Sequence, residues 1–218
     1  THRHGAAGPD DRTHGEALTN GGGLVNRGTG SITGRDLVEV RHDDAVHELH
    51  AEHVVVAVGS ESKRPPIEGI GEIPTWTNRE ATLTREFPAS LVVLGGGPTG
   101  CELAQVYSRF GVPTTIVQSG PRLAPTDHPR NSEALRTALE RDGVTVRTNV
   151  RAVRVRAGAT DGTHVVELDD GTTAEGHAVL LAVGRSFPLE DVGLEQYGID
   201  PTGRTPFPRD GRLRIADG

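Results

Sequence analysis

The spacing of apolar and polar residues changes period along the chain, and that change predicts its architecture. From Leu24, the stretches LVNRGTGSITG and LVEVR, a polar break at Asp43 and Asp44, and the apolar run HVVVAVGS at 53–60 predict short strands that Pro65 and Pro66 bring to an end. At 91–94, LVVL predicts a fully buried strand. GGGPTG follows at once, and ELAQVYSRF then places Leu103, Ala104, Tyr107 and Phe110 on one helical stripe that Gly111 stops. TTIVQ at 114–118, a helical segment at 132–141 with Leu135, Ala138 and Leu139 on one face, and VTVRT at 144–148 complete a β-α-β-α-β order. Such alternation builds a parallel sheet with helices packed on it, an α/β fold.

After 148 the period is that of strands again. Segments near 150–155 and 164–168 are joined through Asp161-Gly162, a second turn falls at Asp169-Asp170-Gly171, and the chain returns to a buried run, AVLLAVGR, at 178–185. HVVVAVGS and AVLLAVGR both close on Ala-Val-Gly and read as a weak internal repeat. Residues 1–22 carry no apolar periodicity and are expected to form a loose segment.

Composition narrows the class. The 218 residues correspond to between one and two domains. Aromatics are only 3% and Met is absent, so the core must be built from Val, Leu, Ile and Ala, which suits a parallel sheet. A net charge of -7 opposes a nucleic-acid or anionic-membrane role. One Cys excludes an internal disulfide and any zinc site or redox pair built on two thiols. The apolar runs are far shorter than the roughly 20 residues that span a bilayer, and no leader pattern opens the chain, so a cytoplasmic protein is expected.

The sharpest chemical signal is Gly95-Gly96-Gly97-Pro98-Thr99-Gly100, a G-x-G-x-x-G directly after a strand and directly before a helix. Gly95 makes the tight turn, Gly97 lets backbone approach a pyrophosphate, and Gly100 lets helix and strand pack closely. The first helical N–H groups and the helix dipole then meet the phosphate charge. Where the fingerprint places an acid for the ribose 2′-hydroxyl, this chain has Gln118, with Ser119 next and Arg122 beyond. A neutral amide lifts the repulsion against a 2′-phosphate, and Ser119 and Arg122 are candidate contacts to one, so the expectation leans to NADPH over NADH. In the alternative reading, Gln118 bonds the ribose of NAD and Arg122 is a surface charge.

Taken together, LVVLGGGPTGCELAQVYSRFG, VTVRTNVRAVRV, the hairpin ELDDG and AVLLAVGR resemble the NAD(P)-binding domain of the pyridine nucleotide-disulfide oxidoreductases, the two-dinucleotide flavoproteins of the dihydrolipoamide dehydrogenase and mercuric reductase kind. GTGSITG and VVVAVGSESKRPPIEG resemble the latter part of their FAD domain. The resemblance implies a Rossmann-like NAD(P) domain in three layers with an antiparallel β-meander, flanked by a partial FAD-binding domain. Its implied boundaries are 1–22 (loose N-terminal segment), 23–75 (end of the FAD domain), 76–200 (NAD(P) domain) and 201–218 (return toward the FAD domain). It implies that Gly95 to Gly100 cradle the NAD(P) pyrophosphate, that Glu102 lies near the nicotinamide, that Gln118 meets the adenosine ribose, that Ala152 lies by the adenine and that Gly184 closes the nicotinamide side. For FAD it implies Gly30 and the turn Val58-Gly59-Ser60. The implied activity is NAD(P)H-dependent hydride transfer to FAD and on to a disulfide or other small acceptor, in a homodimer. The family's first flavin fingerprint, C-x-x-x-x-C pair, second flavin motif and dimerisation domain are not in these residues, so the chain is expected to be a central excerpt, inactive alone. Two alternatives stay open: an NADH oxidase or ferredoxin reductase-like flavoprotein without redox cysteines, and a non-catalytic NAD(P)-binding module.

Three tempting features are discounted. Cys101 begins a helix, where a dipole depresses a thiol pKa, but it has no partner thiol and reads as structural. His47, His50 and His53 are spaced by three, which disperses them on a helix and splits them between faces on a strand, so no metal site is expected. The Asp43-Asp44 and Asp169-Asp170 pairs fall between strands and read as turns.

Overall fold

The computed structural model describes residues 11–202 and 209–215. The chain divides into two units, one made of residues up to Gly59 and from Pro188 onward, the other of Ser60–Phe187. The boundaries expected at 75/76 and 200/201 are therefore not where the structure divides, and the expected return segment at 201–218 lies partly outside the described residues.

In the first unit, α1 (Asp11–Asn20) precedes an antiparallel sheet of β1 (Thr29–Gly34), β2 (Leu37–His42) and β3 (Ala45–His50). The helix corrects the expectation of a loose segment at 1–22, whose first ten residues lie outside the described ones. Its stop signal is the glycine run: Gly21 N–H donates to Ala17 O at 3.1 Å and Gly23 N–H to Leu18 O at 3.0 Å, with Gly22 at φ +87°. Strand structure begins at Thr29 and not at Leu24, which is 92% exposed. Asp43, at φ +50°, turns β2 into β3, as its place between strands predicts.

A short 3-10 helix (Leu194–Tyr197) returns to β1. Ile32 N–H donates to Val192 O at 2.7 Å, Ser31 Oγ donates to Asp191 O at 2.8 Å, and Tyr197 Oη donates to Arg35 O. Ile32, Val192 and Leu194 form its small core, with Val54 and Val56 packed against it. The run at 53–60 is not a strand. Among the described residues no strand pairs with it, and Val55 is 88% exposed, so the expected repeat with 178–185 does not hold structurally.

In the second unit, β4 (Glu61–Ser62), β5 (Thr75–Trp76) and α2 (Asn78–Leu83) lead into β6 (Leu91–Leu94), α3 (Pro98–Arg109), β7 (Thr114–Gln118), α4 (Pro129–Arg141) and β8 (Val144–Thr148). A meander of β9 (Ala152–Ala157), β10 (His164–Leu168) and β11 (Thr173–Gly176) follows, then β12 (Ala178–Leu181) and β13 (Arg185–Ser186), the last antiparallel to β4. The central sheet has the order β5-β12-β6-β7-β8, and its pairs are all parallel.

Both faces of that sheet are covered, as a fully apolar strand such as β6 requires. Leu91, Val93, Ile116 and Leu180 face α3 and α4 through Ala104, Tyr107 and Leu139. Val92, Leu94, Val117, Val179 and Leu181 face the meander through Ala152, Val155, Val166 and Leu168. The result is helices, parallel sheet and antiparallel meander, the three layers expected. Phe110, expected on the buried stripe of α3, is 66% exposed and stacks on Phe87 at 4.9 Å between ring centroids.

Strand order also locates the site. From β6 the chain advances through β7 to β8 on one side and returns to β12 on the other, so the direction of winding reverses at β6. Ligands in open α/β sheets lie outside the carboxyl ends of the strands at such a reversal. The glycine turn stands there.

Candidate functional site

A cleft of about 840 Å³ opens at the carboxyl ends of β6, β7 and β12, within the Ser60–Phe187 unit. Its floor is the glycine turn, and each glycine has a separate reason to be one. Gly95 has φ +109°, and a Cβ there would lie 2.3 Å from Ala182 O. At Gly100 a Cβ would lie 2.0 Å from Gly95 O, which is the close helix–strand approach the motif predicts. Gly97 differs: its φ is -77°, which any residue adopts, and a Cβ would meet nothing within 4 Å. The absence of a side chain at Gly97 therefore clears open space in front of the backbone, as a bound diphosphate requires.

Two hydrogen bonds hold the turn in shape. Gly95 N–H donates to Val117 O and Gly96 N–H donates to Gln118 Oε1, both at 2.8 Å. Helix α3 starts at Pro98, which has no N–H, with Gly97 as its N-cap and no side chain capping it. Its first-turn donors thus face the cleft without a competing side chain.

Of the residues expected to bind NAD(P), Gly95, Gly97, Pro98, Thr99, Gln118, Ser119, Ala152 and Gly184 line this one cleft. Gly96 and Gly100 stand behind the surface; a Cβ on Gly96 would lie 2.5 Å from Leu123 Cδ2. Glu102 is exposed on α3 and is not on the wall. Gln118 lines the cleft, but its amide oxygen is committed to Gly96 N–H.

Arg122 is placed elsewhere. Its guanidinium donates to Pro125 O at 2.7 Å and Asp127 O at 3.3 Å, clamping carbonyls of its own loop that have no helix or sheet partner, and it does not line the cleft. Ser60 accepts from Arg185 Nε through Oγ at 2.6 Å and from the same guanidinium through its carbonyl at 2.6 Å. On the expected flavin side, Gly30 and Gly59 have nothing within 4 Å of a notional Cβ, and Val58 is 45% exposed. That is open backbone, fitting a supporting part of a flavin site and not a whole one.

Sequence reasoning missed several wall residues. Ser62, Pro65 and Ile67 are remote in sequence from the motif, and no local signal marks them. Arg151 and Arg185 each adjoin an expected residue, Ala152 and Gly184, and were findable as neighbours at strand ends. Among the described residues no Asp or Glu lines the cleft. Its two arginines therefore set a positive wall suited to an anionic ligand.

Cys101 is buried at the start of α3 and its Sγ–H donates to Gly96 O at 3.4 Å. Burial, aided by the Glu102 carboxylate, pushes the thiol up to about 11, against the dipole effect that made it tempting. It serves the turn as a neutral packing residue. His47 and His50 lie on β3, and among the described residues no group of three or more His, Cys, Asp or Glu is set to hold a metal. No helix among them is long and apolar enough to cross a membrane.

Residues 8–214 match the family model described as pyridine nucleotide-disulphide oxidoreductase. A dihydrolipoyl dehydrogenase of Chlorobaculum tepidum is 33% identical over 177 residues, which are 80% of this chain and 37% of that protein. A mercuric reductase of Streptomyces lividans is 30% identical over 181 residues, 82% of this chain and 38% of that one. Among solved structures, the Cu(II) complex of the HOCl-induced flavoprotein disulfide reductase RclA from Escherichia coli superposes with a TM-score of 0.78 at 25% identity, covering 87% of this chain and 43% of that one. The chain spans less than half the length of these relatives.

Proposed function

Because the chain belongs to the pyridine nucleotide-disulphide oxidoreductase family, we propose that its Ser60–Phe187 unit holds NAD(P)H within a flavin-dependent oxidoreductase that reduces a disulfide or another small acceptor. The observation that carries this reading is Gly97, a glycine standing where neither φ nor packing demands one, at the mouth of a helix without a side-chain cap. When bound, the nicotinamide supplies a hydride and the flavin accepts it. The protein's part is to bind, orient and exclude water.

Gly95 and Gly96 spend their N–H groups on Val117 O and Gln118 Oε1, which fixes the turn and so sets the first-turn donors of α3 in place before a ligand arrives. Leu94, Val117, Leu181 and Ile67 supply apolar wall that would exclude water from a bound ligand. Gly184, at φ +124°, turns the chain out of β12 at the far end of the cleft. Cys101, a buried neutral thiol, takes no redox part, so a redox cysteine pair, where the protein has one, lies outside these residues. By the same reading the whole protein is a cytoplasmic homodimer.

The test is Gly97→Val in the 218-residue chain. The thermal unfolding temperature should fall only slightly, since a Cβ there meets nothing within 4 Å and the cost is the poorer N-cap, while NAD(P) binding by calorimetry should disappear. Equal binding by the variant would place the phosphates elsewhere.

A further inference from the structure

We infer that Arg151, and not the motif arginine Arg122, is the cation that reads the 2′-phosphate of NADPH; this rests on the reading of the cleft as a dinucleotide site. Asn149 N–H donates to Gly120 O at 3.0 Å and Val150 N–H to Gln118 O at 3.3 Å. These bonds hold segment 149–151 against the carboxyl end of β7, where a nucleotide-binding sheet receives the adenosine ribose. Arg151, Gln118 and Ser119 all line the cleft there.

The neighbouring arginines are already engaged. Arg147 pairs with Asp170 at 3.4 Å, Arg154 with Glu68 at 3.3 Å and Arg156 with Glu167 at 2.7 Å. Arg185, the other arginine on the wall, is bound to Ser60. Arg151 is anchored through its backbone alone: its N–H donates to Asp169 Oδ1 and its carbonyl accepts from Asp169 N–H, both at 2.9 Å. Among the described residues its guanidinium has no partner.

A fixed backbone carrying an uncommitted guanidinium, beside a neutral amide and a hydroxyl, matches a phosphate monoester; the Asp169 carboxylate holds the Arg151 backbone and does not line the cleft. Planar bidentate donation suits that group, and the ribose hydroxyl of NAD offers no equivalent charge. Arg147, Arg154 and Arg156 each have a carboxylate partner, and Arg151 does not.

The test measures NADP+ and NAD+ affinities of the 218-residue chain by calorimetry, at low and high salt, for the wild type, Arg151→Gln and Arg151→Lys. The wild type should favour NADP+. Arg151→Gln should weaken NADP+ about tenfold, the scale of one charge-assisted contact, and leave NAD+ within about twofold. Arg151→Lys should restore part of the loss, and the preference should shrink at high salt. An unchanged NADP+/NAD+ ratio in Arg151→Gln, an equal loss of both ligands, or a wild-type preference for NAD+ would overturn this assignment and leave the dinucleotide site standing. Failure of the wild type to bind either ligand would overturn both.

Discussion

The segments 178–185 and 53–60 are close in pattern and opposite in fate. AVLLAVGR contributes β12, in which Val179 and Leu180 are 0% exposed between β5 and β6. HVVVAVGS forms no ladder; Val54 and Val56 pack on a small cluster while Val55 and Val58 are 88% and 45% exposed. Apolar, β-branched residues supply a preference for extended backbone. Whether that preference becomes a strand depends on neighbours that satisfy its N–H and C=O groups. The first run has a parallel partner on each side, and the second has none among the described residues.

The contrast can be broken most severely at the turn that β12 braces. Gly100→Val places a side chain where Gly95 O already stands, so a loss above about 4 kcal/mol is expected, seen as disappearance of a cooperative thermal transition. Gly59→Ala, also a glycine after an Ala-Val run but with open space around it, should cost only about 1–2 kcal/mol, from its φ of +72°.

Within the runs, Leu180→Ala should cost about 2–5 kcal/mol by urea unfolding. Val55→Ala should stay within about 0.5 kcal/mol, because little surface is buried there. A comparable loss for Val55 would show that 53–60 is covered in solution.

Arg122→Gln removes donors from two exposed loop carbonyls that water can then reach, so about 1 kcal/mol of stability should go. The NADP+/NAD+ ratio should not move.

A further effect appears only at alkaline pH, as a slope in stability. Cys101 has a folded pKa of about 11, above the roughly 8.5 of an unfolded thiol. Its unfolded form therefore loses the proton first, and stability should be full below about pH 8.5 and fall as pH rises toward 11. Cys101→Ala should flatten that decline in urea titrations across the window. An identical slope in the variant would assign it to other groups.

Legibility followed how local each cause was. Strands β6, β7 and β8 match the predicted segments residue for residue, because a short apolar run between a glycine turn and a helix has one stable solution in an α/β fold. The turns at Asp43, Gly162 and Gly171 were legible for the same reason, each needing only its own backbone angles. Helix α1 was not, since its residues show no apolar stripe; the available signal was its glycine stop. At the site, the glycine fingerprint was readable, and the destinations of Gln118 and Arg122 were not, because side-chain partners come from loops that no spacing rule reaches.

From residue patterns alone one could read the β-α-β-α-β order from β6 to β8 and the glycine turn, which rest on contacts within a few residues, together with the family to which the chain belongs. Tertiary structure alone decided that 53–60 stays unpaired, that Arg122 clamps its own loop, and that Arg151 stands uncommitted on the cleft wall. The physical reason is that hydrogen bonds and charges are shared out among whatever groups folding brings within reach, and that allocation is fixed only when distant segments meet.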